Sequence, residues 1–186
     1  MATANTALLL MDLQPAILAG MPNDKLAELL DRVNKAANAA RAHQIPVIYV
    51  ALSFRPGTPE VSSNNQFFDA ARSRFDNPDF ANIHPDVAPQ TGDIIVYKKR
   101  FSAFTGSDLD VVLRGLNVKH LVLAGVSTSG VVLSTTREAA DKDLQLTILA
   151  DGCFDADEET HRVLLTKVFP RQAGMKTIDE WCEGLD

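Results

Sequence analysis

The stretch LVLAGVSTSGVVLSTTREAAD, Leu121–Asp141, runs from a continuous apolar segment through a small, hydroxyl-rich turn into a segment with helical spacing. A short apolar run closed by Gly reads as a buried strand. The carboxyl end of such a strand is where α/β enzymes often keep a nucleophile. This turn offers Ser127, Thr128 and Ser129, but holds no Cys and has no His nearby.

The same alternation recurs outward from this stretch. TALLLMD (Thr6–Asp12) is apolar on both faces, as expected of a buried parallel strand. NDKLAELLDRVNKAANAARAH places Leu26, Leu29, Leu30 and Val33 on one helical face, with Asn23 or Asp24 as N-cap. IPVIYVALS and GDIIVYK (Gly92–Lys98) read as strands, and SDLDVVLRGLN as a helix capped by Ser107. KHLVLAG is a strand, Ser129–Lys142 a helix, and LQLTILAD a further strand. DADEETHRVLLTKVF opens on Asp155 with Glu158 three residues on, a spacing like a capping box. A last strand is expected at Met175–Ile178, followed by a terminal helical turn. Strands alternating with helices predict an α/β fold, a mostly parallel, Rossmann-like sheet sandwiched between two helical layers, in a single domain over residues 1–186.

Composition narrows the function classes. With 46% apolar residues the chain has enough for a core, and a net charge of −6 argues against a nucleic-acid partner. The densest basic run, Lys98-Lys99-Arg100, is too short for a phosphate-binding patch. Two cysteines, Cys153 and Cys182, suggest a reducing compartment rather than a disulfide framework. The N-terminus lacks a basic leader, its apolar run is broken by Asp12, and no run approaches the roughly 20 residues that span a bilayer. A soluble, cytoplasmic protein with no membrane partner is expected.

In parallel sheets ligands bind outside the carboxyl ends of the strands. That rule selects Asp12, Ser53–Arg55, Lys98 and the Gly125–Val131 turn. Asp12 ends an apolar strand, either as a used carboxylate or as a cap for a helix starting near Pro15. Of the adjacent Lys98 and Lys99 only one faces the site, because neighbours on a strand point opposite ways. A Lys beside an Asp holds the carboxylate ionised, or with burial shifts its proton into a useful range. Gly125-Val126-Ser127-Thr128-Ser129 lacks the second Gly of a serine-hydrolase elbow, and Ser127 and Thr128 serve equally as helix caps. The connection from Phe54 to Thr91 carries Arg55, Arg72, Arg74, Asn64, Gln66 and five phenylalanines; it is either a binding loop or a surface insertion. The four histidines fall on different elements without metal-like spacing.

Together, LLLMDLQ, VYKKRFSAFTGSDLDVVLR and LVLAGVSTSGVVLSTTREAAD resemble the isochorismatase-like hydrolase family, the cysteine hydrolases, from about Thr6 to Phe169. The resemblance implies a six-stranded, mostly parallel sheet and an Asp–Lys–Cys triad. Asp12 matches the Asp. Lys98, separated by three residues from Ser102-Ala103-Phe104, matches the Lys. It also implies a cis peptide at Val126–Ser127 and, around Gly130 and Val131, an oxyanion hole. Counting six residues on from Gly125 and four back from Thr135 both lead to Val131, so the nucleophile position holds valine.

Within the family, isochorismatases proper work without the thiol, the Asp protonating a vinyl ether. The resemblance therefore implies a hydrolase of a small, anionic metabolite acting through Asp12 and Lys98. A non-catalytic homologue that binds a metabolite or protein is the alternative, and a cysteine amidase using Cys153 the third reading. Arg55, Arg74, Gln66 and Phe104 are candidate substrate contacts, alongside Arg72 and Arg100. The nicotinamidase branch binds a divalent ion through an Asp and several His after the second strand; SFRPGTPEVSSNN has no such set, so neither metal nor other cofactor is expected. A homodimer or homotetramer is implied by resemblance alone.

Overall fold

The apolar run before Asp12 forms strand β1 (Thr6–Met11), buried along its whole length, in the computed structural model, which describes residues 5–185. The chain continues through α1 (Pro15–Leu18), α2 (Asn23–Ala42), β2 (Val47–Leu52), α3 (Gln66–Ala70), α4 (Arg72–Phe75) and β3 (Ile94–Lys98). After these come α5 (Leu109–Gly115), β4 (His120–Val126), α6 (Leu133–Asp141), β5 (Gln145–Phe154), α7 (Glu158–Val163), β6 (Gly174–Lys176) and α8 (Ile178–Glu183). The six strands form one sheet in the order β3-β2-β1-β4-β5-β6, with every pairing parallel.

Strand periodicity divides the core in two. Ala7, Leu9 and Met11 of β1 join Leu109 and Leu113 of α5, Ala139 of α6, and Leu164 and Phe169 on one face. Leu8 and Leu10 join Leu29, Leu30, Val33, Ala36, Ala37 and Ala40 of α2, with Ile178 and Trp181 of α8, on the other. The i, i+3, i+4 spacing of the α2 residues turns one stripe to the sheet, so burial rather than capping orients this helix. The three-layer sandwich follows from these two faces. The chain leaves β1 toward β2 and β3, then returns to β4 on its other side, which makes the carboxyl ends of β1 and β4 the switch point of the fold.

The connection after β2 is not a plain surface insertion. It folds into α3, α4 and two short 3-10 turns around a third cluster of Leu52, Val61, Phe68, Phe75 and Phe80. Phe54 stacks on Phe75 at 4.6 Å, and Phe75 meets Phe80 edge-on at 5.1 Å. Gln14, wholly buried, ties this unit to the sheet. Its amide accepts from Leu52 N at 2.7 Å, donates to Leu52 O at 3.0 Å, and donates also to Phe80 O.

Several local readings change in the structure. The cap residue of α2 is Pro22, without a side-chain cap, so neither Asn23 nor Asp24 takes that role. Ser107 Oγ accepts from Leu109 N at 3.2 Å, one residue before the cap position at Asp108. The helix after β4 opens as a wide π-helical turn over Thr128–Val132. β5 runs on to Phe154, its register against β4 shifting between Leu123 and Gly125. That bulge displaces Asp155 from the expected helix start: Asp157 caps α7, accepting from Thr160 N, and the Asp155–Glu158 capping box does not form. The last strand is Gly174–Lys176, and Thr177 with Glu180 forms a true capping box for α8. Among the described residues no helix is long and apolar enough to cross a membrane.

Candidate active site

At the switch point Asp12 leaves β1 with a positive φ of 59°, a sparsely populated conformation for a residue other than Gly. Its backbone N–H still donates to Val50 O at 2.8 Å. The carboxylate does not cap α1, whose cap residue is Gln14 without a side-chain bond. Instead Asp12 Oδ2 lies 2.9 Å from Lys98 Nζ. Lys98, the last residue of β3, shares the inward side of the strand with Val96, while the next residue, Lys99, donates to Ser53 O.

Lys98 is fully buried, and its ammonium also donates to Arg100 O at 2.9 Å and Phe101 O at 3.1 Å. An ammonium has three N–H donors, so all are used. Lys98 does not border the cavity described below and acts on it only through Asp12. Asp12 is 5% exposed, and its Oδ1 has no hydrogen-bond partner among the described residues. Burial pushes the Asp12 carboxyl up from 3.8 to about 6, with Lys98 pulling the other way. Desolvation therefore outweighs the ion pair, leaving a carboxyl that holds a proton at mildly acidic pH.

Asp12 borders a cavity of about 350 Å³. Val131 lies in its wall, 1% exposed, beside Val126, Ser127 and Gly130, and Val126–Ser127 is a cis peptide. Rings of Phe67, Phe75, Phe80, Phe101 and Phe154 line much of the remainder. The turn passes close to β1 because residue 125 is Gly: a Cβ there would meet Met11 O at 2.4 Å, at a φ of 155°.

The expected oxyanion hole is not open at Gly130. Its N–H is used inside the turn, donating to Ser127 O at 3.2 Å and Ser127 Oγ at 3.1 Å. The neighbouring Ser129 N–H donates to Asp155 Oδ2 at 2.7 Å. His161 Nδ1 is 2.8 Å from Thr128 Oγ1, and burial lowers the His161 pKa, with Asp155 acting in the opposite sense.

The candidate substrate contacts divide. Arg74 lines the Asp12 cavity, with one N–H donated to Ala16 O. Gln66 borders an open groove beside it, shared with Phe67 and Arg74. Arg55 lies outside, paired with Glu60 at 2.6 Å on a separate cavity, because the chain turns away after Ser53. Phe104 also lies outside: it packs into the core with α5, under Lys142. Arg72 is held by Asp69 and Val61 O, and Arg100 by Glu60 O.

The sequence marks Asp155 only as a helix cap and leaves His161 among the scattered histidines. Asp155 was legible in principle, as a carboxylate closing an apolar strand in the manner of Asp12, had β5 been carried three residues further. Cys153 is buried, its thiol pushed up to about 12 by burial, and it borders an adjoining cavity rather than this one. Among the described residues no three His, Cys, Asp or Glu side chains gather as a metal site.

This geometry coincides with a family relationship over nearly the whole chain. Residues 6–180 match the isochorismatase domain, and the chain belongs to that family. It is 30% identical to the isochorismatase family protein YwoC of Bacillus subtilis, covering 96% of this chain and 93% of that protein. It is 28% identical to the ureidoacrylate amidohydrolase RutB of Pseudomonas syringae, covering 98% and 84% respectively. The structure of an isochorismatase family protein from Burkholderia thailandensis superposes with a TM-score of 0.85 at 27% identity, covering 98% of this chain and 96% of that one.

Proposed function

We propose that the protein is a hydrolase of small anionic molecules in which Asp12 is the general acid and no covalent nucleophile takes part. The observation that carries this reading is the unpartnered Oδ1 of a buried, proton-holding Asp12 on a cavity that Val131 also lines, the position to which the family resemblance assigns the nucleophile. A carboxyl with a pKa of about 6 donates a proton effectively near neutral pH. Lys98 fixes the other oxygen and limits how far the pKa climbs.

Proton transfer to carbon, as in vinyl ether hydrolysis, needs no more than this. The proton reaches the enol carbon, water adds to the oxocarbenium centre, and the hemiketal collapses to a carbonyl compound and an alcohol. Aromatic faces around the cavity attract a cation and exclude water. Arg74 is the cation bordering the cavity, and it suits a substrate carboxylate. A volume of about 350 Å³ is at the small end of ligand pockets, roughly 300–1,000 Å³. The amidohydrolase name of RutB suggests amides instead, but an amide route through a thiol would need Cys153, which is buried and strongly protonated.

The test is a screen of vinyl ethers, amides and carbamoyl compounds with wild type and Cys153→Ala. The reading expects turnover among the vinyl ethers, unaffected by Cys153→Ala. Turnover confined to amides and abolished by Cys153→Ala would overturn it.

A further inference from the structure

We propose that Asp155 is a second catalytic carboxylate, the general base that takes the proton from the attacking water, with a vinyl ether as substrate class. This rests on the reading of Asp12 above.

Asp155 stands where β5, lengthened by its bulge, delivers the chain to the switch point. It is 9% exposed and borders the same cavity as Asp12 and Val131. Its oxygens accept from Ser129 N at 2.7 Å and from Asp157 N at 3.3 Å. A carboxylate has about four lone-pair sites, so it retains acceptor capacity toward the cavity. Asp12 in turn contributes an unpartnered oxygen buried on that cavity. Two carboxyls, one carrying a proton and one accepting backbone N–H bonds, divide acid and base work as they do in inverting glycoside hydrolysis, where water enters between them.

The sign of charge points the same way. Acyl transfer develops an oxyanion beside this turn, and a carboxylate bonded to Ser129 N–H repels it. An oxocarbenium ion is attracted by the same carboxylate and by the phenylalanine faces. Val131 and Asp155 together therefore fit a cationic path and oppose an anionic one.

The step balances. Asp12 gives its proton to the enol carbon, leaving an oxocarbenium ion. Water oxygen bonds to the oxygen-bearing carbon of that ion while Asp155 takes one water proton, giving the hemiketal. The carbon–oxygen bond to the leaving group breaks as Asp155 returns its proton to the departing oxygen. Asp12 takes the hydroxyl proton, and both carboxyls are restored. The titratable groups around this pair are Lys98 on Asp12, Arg74 bordering the cavity, Asp157 beside Asp155 and His161 on α7, with Lys25, Glu28, Arg32, Asp151 and Glu158 around the adjoining cavity that Asp155 also borders.

The experiment uses the 1-carboxyvinyl ethers of phenol and cyclohexanol, followed by loss of their vinyl proton signals across pH, with wild type, Asp12→Asn and Asp155→Asn. Asn keeps the size of Asp155 and an acceptor for Ser129 N–H but takes no proton. The expected result is a bell-shaped wild-type profile, because activity needs one carboxyl protonated and the other ionised. Asp155→Asn then lowers kcat about 10²–10⁴-fold, shifts KM little, and abolishes the acid limb. A kcat within threefold of wild type, or an unchanged bell, overturns the base role, while inactivity of Asp12→Asn leaves the hydrolase reading standing. Failure of wild type on both ethers removes the reading at Asp12 and this proposal with it. Should Asp155→Asn not fold, the wild-type profile decides: a bell supports the base, and a plateau at low pH overturns it.

Discussion

Replacing Lys98 with methionine separates the two influences on Asp12. The side chain is fully buried, so methionine keeps the volume and removes the charge. Across 2.9 Å, two unit charges attract by about 6 kcal/mol at an effective dielectric of 20, before desolvation is set against it. Breaking a buried pair by removing one partner costs about 3–5 kcal/mol, the loss expected at pH 8, where wild-type Asp12 is ionised. At pH 5 Asp12 is protonated in both proteins. The loss then shrinks to about 1–3 kcal/mol, from the carbonyls of Arg100 and Phe101 left without their donor. The sign follows from linkage. The Asp12 carboxyl titrates above its unfolded value of 3.8, so its contribution to stability is fully present below that value and fades as pH rises through about 6. Without Lys98, the group that lowers it, the carboxyl climbs further and the fading extends to higher pH. Urea unfolding of wild type and Lys98→Met at pH 5 and pH 8 reads both numbers. Equal losses at the two pH values, or a larger loss at pH 5, would refute a charge-coupled pair.

Val131→Cys puts a thiol into the cavity wall, where iodoacetamide should alkylate it. Amide hydrolysis should rise at least tenfold more when Asp155→Ser is added, since that carboxylate opposes an oxyanion; equal rates in the single and double variants would count against this. Gln14→Ala removes an amide that serves Leu52 N, Leu52 O and Phe80 O, and should lower stability by about 3 kcal/mol in urea unfolding, with less than 1 kcal/mol contradicting the clamp. Gly125→Ala forces a Cβ to 2.4 Å from Met11 O, and should give protein melting well below wild type or accumulating as insoluble material.

Strands β1, β2, β4 and β5 were legible because their apolar runs, from TALLLM onward, are largely buried by helices on both sides of the sheet, so hydrophobicity and structure coincide; the edge strands β3 and β6 are more exposed. Asp12 and Lys98 were legible for the same reason: a charge closing such a run has to be paired or used. The connection after β2 was not, because its helices are short and its aromatics pack on one another rather than in a periodic stripe. Asp155 was obscured by the β5 bulge, which no periodicity announces and which turns an apparent cap into a cavity carboxylate. Arg55 and Phe104 were misplaced because nearness in sequence to a strand end says nothing of the direction in which the chain then turns.

Whether Asp12 delivers the reacting proton is tested most directly by comparing kcat/KM of wild type and Asp12→Asn on the 1-carboxyvinyl ether of phenol, in water and in D2O. The account predicts a loss of about 10²–10⁴-fold in the variant, with wild type placing one deuterium on the former vinyl carbon of the product in D2O. Turnover of Asp12→Asn at the wild-type rate would contradict it.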